Sequence, residues 1–205
     1  MTDLGFIHRF EPGKSKRTLL LLHGTGGDEN ALIELGRAID PDAALLSPRG
    51  KILENGAPRF FRRLAEGVFD EADVVRRAAE LCDFVDAAIA EYRIDAAQLT
   101  AVGYSNGANI AAAMLLLDKA IFKTAILFRA MVPLSNLERT PSLGGRRILL
   151  SAGKFDPIAR ADTVGALAGM LRQAGADVTV QIHAIGHQLT AEDVTAAHHW
   201  LSENS

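Results

Sequence analysis

One cysteine, Cys82, stands among 205 residues, so the chain cannot close an internal disulfide and its stability must come from a packed core. The opening residues, Met1-Thr2-Asp3-Leu4-Gly5, have neither the basic nor the apolar region of a secretory signal. Together these absences lead us to expect a cytoplasmic protein. Long hydrophobic runs are also missing: the most apolar stretch, residues 110–117, is far shorter than the roughly 20 residues a membrane-spanning helix needs. Membrane insertion is therefore not expected. Nor is there an excess of one charge. The formal net charge is −3, and basic clusters such as Arg59, Arg62 and Arg63 are short and interrupted, which argues against a nucleic-acid partner. We read those three arginines as solvated. No internal repeat or low-complexity segment divides the sequence.

What is present is ordinary globular material, 48% hydrophobic and 23% charged. At this length we expect one domain spanning residues 1–205. Apolar runs and period-two alternation predict strands over 5–10, 17–22, 43–46, 99–104, 124–128, 147–152 and 178–183. Helical spacing predicts helices over 28–39, 70–92, 108–117, 163–173 and 190–201. Pro48, Gly50, Gly56 and Pro58 mark an irregular stretch between 47 and 69. Strands alternating with helices imply an α/β fold, with a mainly parallel central sheet covered by helices on both faces. Ligands of such sheets collect at the carboxyl ends of the strands, so the residues just beyond each strand are the candidates for chemistry.

Gly103-Tyr104-Ser105-Asn106-Gly107 lies between an apolar strand and a helix of small residues. In that setting G-x-S-x-G forms a sharp elbow that projects the serine hydroxyl, with the two glycines permitting close approach of strand and helix. Ser105 is thus a candidate nucleophile, although a serine at this position could also simply cap the helix. A serine hydroxyl attacks only if a base takes its proton. Of the six histidines, His187 is the one in a loop between the last strand and the last helix. The base in turn needs a carboxylate to orient it, and Asp156 follows the strand ending near residue 152, with Pro157 behind it. Asp162 is the rival, but its place near a helix start suits a cap. The turn His23-Gly24-Thr25-Gly26-Gly27-Asp28 offers backbone N–H groups, and we assign the oxyanion hole to the amides of Thr25 and Asn106. A phosphate loop would need a Gly-Lys-Ser/Thr ending that this turn lacks. His183 and His187 fall on different segments, so no metal site is expected. Cys82 reads as packing. Phe60 and Phe61, in the irregular stretch, are candidate substrate-binding walls, with burial in a satellite core as the alternative.

The ordered set Leu21-Leu22-His23-Gly24-Thr25-Gly26-Gly27-Asp28-Glu29, residues 103–107, Asp156-Pro157 and Gly186-His187 resembles the phospholipase/carboxylesterase family of α/β-hydrolases over nearly the whole chain. That resemblance implies a compact sheet with little or no lid and serine esterase activity. It implies a Ser105, Asp156 and His187 triad and an aromatic pair, Phe60-Phe61, near the pocket. Acyl-protein thioesterases belong to the same group. The likeness to dienelactone hydrolases is weaker, because those have cysteine where this chain has Ser105. The expected substrate is a small carboxylic ester of short or medium chain, with no cofactor. A thioester, a lysophospholipid, or a non-catalytic small-molecule binding role on the same fold are the alternatives, and a homodimer is allowed.

Overall fold

The computed structural model describes residues 4–137 and 139–204. Chain order begins with strands β1 (His8–Glu11) and β2 (Thr18–Leu22), helix α1 (Ile33–Ile39) and strand β3 (Ala44–Pro48). Two small antiparallel hairpins follow, β4 (Ile52–Glu54) with β5 (Ala57–Arg59), and β6 (Arg63–Ala65) with β7 (Val68–Phe69). Then come α2 (Glu71–Tyr92), β8 (Leu99–Tyr104), α3 (Asn106–Leu116), β9 (Thr124–Phe128), β10 (Arg147–Gly153), α4 (Ala161–Gln173), β11 (Asp177–His183) and α5 (Ala191–Glu203).

Seven strands form one sheet in the order β1-β3-β2-β8-β9-β10-β11. All its pairings are parallel except β1 with β3 at one edge, so the expected mainly parallel sheet is present. The run Thr18-Leu19-Leu20-Leu21-Leu22 explains why β2 sits inside. Every one of its residues is buried, and a strand covered on both faces has no use for alternation. Leu20 and Leu22 belong to the core shared with α2, α3 and α4, whereas Leu19 and Leu21 belong to the core shared with α1 and α5. Helices therefore cover both faces, as alternate residues of each strand require.

Helix α2 begins where its side chains provide a cap: the Asp70 carboxylate accepts from the Asp73 N–H. All residues of α3 are buried, and its alanines let it lie close against the sheet. The structure differs most from the sequence reading in three places. Strand β1 starts at His8 rather than residue 5, after Gly5 has turned the chain at φ +80°. Helix α1 starts at Ile33 rather than residue 28, because Asp28 Oδ1 accepts from the Asn30 N–H and bends the backbone into turns. The stretch 47–69 is not irregular throughout. Asn55-Gly56, with φ +51° and +83°, makes the positive-φ turn that closes the β4–β5 hairpin. Among the described residues, no helix is long and apolar enough to cross a membrane.

Candidate active site

Ser105 follows β8 with φ 52° and ψ −113°, a conformation costly for a residue with a Cβ and sustained here by the packing on either side. Its N–H donates to the Phe128 carbonyl at 2.9 Å, and its own carbonyl accepts from Asn109 N–H at the start of α3. The flanking glycines are sterically required. A Cβ on Gly107 would lie 1.9 Å from the Leu22 carbonyl oxygen, and one on Gly103 would lie 2.6 Å from Ala108 Cα. Strand β8 and helix α3 can therefore meet β2 at this elbow only with hydrogen at both positions.

His187 and Asp156 arrive from the loops after β11 and β10. Ser105 Oγ and His187 Nε2 are 3.0 Å apart, and His187 Nδ1 is 2.8 Å from Asp156 Oδ2. The carboxylate is held from behind, with Asp156 Oδ1 accepting from the Ile158 and Ala159 N–H groups at 2.8 and 2.9 Å. Asp156 is 5% exposed, so its link to the imidazole is shielded from water. With Nδ1–H donated to Asp156, Nε2 is left as the acceptor facing the serine hydroxyl, the tautomer a general base needs. The rival Asp162 is exposed and paired with Arg160, away from this line.

Two groups that the sequence reading passed over fix the histidine loop. Arg129, just after β9, is completely buried. Its guanidinium makes a two-pronged contact with Asp193 at 2.9 and 2.8 Å and donates to the carbonyls of Gly186 and Gln188, the residues on either side of His187. Burial opposes ionisation of Asp193, but hydrogen bonds from Arg129, Ser151 and the Thr190 backbone hold its carboxyl below the usual range. Tyr104, on the elbow strand, donates its hydroxyl to the His187 carbonyl at 3.2 Å. The signal for Arg129 was available: a lone cation directly beyond an apolar strand, at the end of the sheet where chemistry collects.

On the other side of Ser105, the turn after β2 brings Thr25 to the site. Among the described residues neither the Thr25 nor the Asn106 N–H has an acceptor, leaving both open to an incoming oxygen. Asn106 is also the first residue of α3, where unsatisfied amides favour negative charge. The Thr25 turn is anchored by Gly26 N–H to the Pro58 carbonyl and by Arg59 to Thr25 Oγ1. His23 orders the same turn from below. Burial is the main cause of its lowered pKa, and the neutral ring bridges the Gly24 carbonyl and the Gly50 N–H.

Ser105, His187, Thr25 and Asn106 all border one cleft of about 210 Å³, whose remaining wall comes half from the two hairpins, through Arg59, Arg63, Gly67 and Phe69, and half from Tyr104, Asn109, Met131 and Ile158 beside the sheet. Phe60 and Phe61 do not line it. At 3% and 0% exposure they turn inward, Phe60 against His23 and Phe61 edge-on to Phe69, because two adjacent rings bury more apolar surface in the core than in a polar cleft. Arg59 corrects a second expectation: it is 2% exposed rather than solvated, its Nε donating to the Phe61 carbonyl. Arg62 and Arg63 keep partial exposure. Cys82 is buried against α2's neighbours, and burial pushes its thiol up to about 11. His183 faces Glu192 and Asp193, apart from His187's partners.

The phospholipase/carboxylesterase family model matches residues 10–205. The chain belongs to the phospholipase/carboxylesterase family. Its sheet and helices are accordingly those of an α/β-hydrolase. The putative hydrolase MhqD of Bacillus subtilis (strain 168) is 48% identical over 196 residues, covering 96% of this chain and 98% of that protein. The crystal structure of the Bacillus cereus carboxylesterase superposes with a TM-score of 0.94 at 43% identity, over 98% of this chain and 95% of that one. A carboxylesterase from Mesorhizobium loti gives 0.93 at 33% identity, over 98% and 97%. This phospholipase/carboxylesterase family member is thus a hydrolase whose structural neighbours include carboxylesterases.

Proposed function

We propose that the protein is a serine carboxylesterase that hydrolyses short- to medium-chain carboxylic esters through an acyl-enzyme intermediate. The observation that carries this reading is the unbroken series Ser105 Oγ, His187 Nε2, His187 Nδ1, Asp156 Oδ2, with links of 3.0 and 2.8 Å. His187 takes the hydroxyl proton as Ser105 attacks the ester carbonyl, and Asp156 stabilises the imidazolium that forms. The negative charge moves onto the carbonyl oxygen, which the Thr25 and Asn106 amides receive. Collapse of the tetrahedral intermediate expels the alcohol, which takes its proton from His187. Water then enters, loses a proton to the same ring, and releases the acid from Ser105. A cleft of about 210 Å³ suits a small acyl group. Thioesters of similar size follow the same route. We place the enzyme in the cytoplasm, in keeping with a lone buried thiol.

The test is hydrolysis of p-nitrophenyl acetate, butyrate and octanoate by wild type and Ser105→Ala, together with labelling by phenylmethylsulfonyl fluoride and peptide mass spectrometry. Turnover that disappears in Ser105→Ala, with label on Ser105, supports the reading. Turnover that survives the substitution sinks the mechanism; absence of both turnover and label favours a non-catalytic binding protein.

A further inference from the structure

The cleft beside Ser105 is electrostatically one-sided. Arg59 and Arg63 both border it, and among the described residues no carboxylate does. Arg59 is a buried cation, its side chain 3% exposed. Among the described residues the one acid in ion-pair contact with either arginine is Glu54, which they share. Glu54 Oε1 accepts from Arg63 Nε at 2.8 Å, but Glu54 Oε2, 3.1 Å from Arg59 Nε, makes no aligned hydrogen bond and remains a buried acceptor without a donor. The Arg59 Nε hydrogen goes to the Phe61 carbonyl instead, and Nη1 goes to Thr25 Oγ1 at 2.6 Å. Two guanidinium charges are thus balanced by one carboxylate. The triad acid adds nothing to this balance on the cleft side, since Asp156 is turned toward His187 and the Ile158 and Ala159 amides.

Arg59 has one ion-pair partner among the described residues, Glu54 at 3.1 Å, and shares it with Arg63, so the two guanidiniums leave a net positive charge on a cleft wall where the low local dielectric screens it poorly. An anionic ligand group would complete that balance. The nearby donors point the same way: Asn106, also in the lining, has a buried Nδ2 with no acceptor. An incoming group with several acceptor oxygens and a negative charge satisfies all of these at once. A carboxylate fits the planar fork of arginine and is small enough to share about 210 Å³ with an ester carbonyl.

We propose that Arg59 and Arg63 make this esterase selective for small esters that carry a second, free carboxylate, such as half-esters of short dicarboxylic acids. The contact from Arg59 to Thr25 places that carboxylate a few atoms from the scissile carbonyl, since Thr25 also supplies an oxyanion N–H. This selectivity rests on the serine-esterase reading above.

The experiment compares kcat/KM for monoethyl succinate and for ethyl levulinate, its neutral isostere with a methyl ketone in place of the carboxylate, by pH-stat titration. Wild type, Arg63→Gln and Arg59→Gln are measured at low and high salt, and Ser105 is labelled in parallel with a fluorophosphonate. We expect wild type to prefer monoethyl succinate by tenfold or more, the preference to shrink with salt, and Arg63→Gln to lower it about tenfold, mainly through KM. Arg63 is partly exposed, so its substitution tests the charge without emptying the core. Equal or better turnover of ethyl levulinate by wild type, or a preference unmoved by both substitutions, overturns the proposal while leaving the esterase intact. Labelled Ser105 with neither ester hydrolysed also overturns it alone. Turnover of neither ester with Ser105 unlabelled overturns the esterase reading as well.

Discussion

Replacing Arg129 by methionine separates two roles of one side chain, stability and aim. Arg129 and Asp193 are both fully buried, joined by two hydrogen bonds of 2.9 and 2.8 Å. Breaking such a pair from one side strands the other charge and costs about 3–5 kcal/mol. Against a typical total of about 5–15 kcal/mol, the variant stays folded at low temperature but with a much reduced urea midpoint. The sole tryptophan, Trp200, is a convenient reporter, since it sits in the same helix as Asp193 and is buried with its indole N–H on Thr179. In Arg129→Met/Asp193→Leu both charges are gone, so the loss should fall short of the summed single losses by at least about 2 kcal/mol. Activity should not follow. Both variants lack the donors that hold the Gly186 and Gln188 carbonyls, and a displacement of the His187 loop by about 1 Å costs up to roughly a hundredfold in kcat. We therefore expect p-nitrophenyl acetate turnover, measured on fully folded protein, to drop between about tenfold and a hundredfold in single and double variants alike. The reasoning fails if the double variant regains kcat along with stability, or if Arg129→Met costs under about 1 kcal/mol.

Four further outcomes are expected. Asp156→Asn should leave the fold intact, as judged by circular dichroism, and lower kcat by about 10⁴-fold, the ring losing the partner that sets its tautomer. Gly107→Ala should abolish activity and lower the melting temperature, since its methyl would have to occupy space 1.9 Å from the Leu22 carbonyl oxygen; wild-type melting would refute the packing argument. His23 has a lowered pKa in the fold and an ordinary one when unfolded, so its contribution is complete above about pH 6.5 and declines as pH falls, because the unfolded chain takes up the proton first. The slope of stability with pH below that point, at most about 1.4 kcal/mol per unit, should flatten in His23→Asn when urea titrations are run from pH 7 to 5. Cys82, pushed up to about 11, should resist Ellman's reagent at pH 8 in native protein, where about 0.1% is thiolate, and react fully in urea.

Much of the fold was readable because its strands are apolar runs of the right length and its helices carry a clear period. Residues 18–22 and 124–128 behave as interior strands for the same reason they look like them: no polar face is needed when helices cover both sides. The candidate site was readable where one local pattern sets the geometry, as at residues 103–107, or where a residue's place between elements isolates it, as for His187. What local patterns do not encode is depth. Phe60 and Phe61 look like pocket walls and Arg59 like a surface cation, yet the hairpins fold so that the rings enter the core and the guanidinium is drawn under the Thr25 turn. Arg129 escaped notice because the four residues its side chain bonds come from three separate places in the chain, Ser151, Gly186 with Gln188, and Asp193. The Asn55-Gly56 hairpin was a missed opportunity of another kind, since that dipeptide is itself a turn signal.

Residues 52–69 contribute side chains to the cleft without contributing a strand to the main sheet. Ser105, Asp156 and His187, by contrast, hang from strand ends that the whole sheet holds in place. Part of the cleft wall is thus mounted apart from the sheet that carries Ser105, Asp156 and His187, and that part can be exchanged like a tool head. A grafted segment that keeps the inward Phe61, the Pro58 carbonyl tie to Gly26, the Arg59 contact with Thr25 Oγ1 and the Phe60 N–H bond to Asn106 Oδ1 preserves the joint with the chassis. Positions outward of that joint are free to be rewritten, and a library confined to them reshapes the cleft wall without touching Ser105, Asp156 or His187.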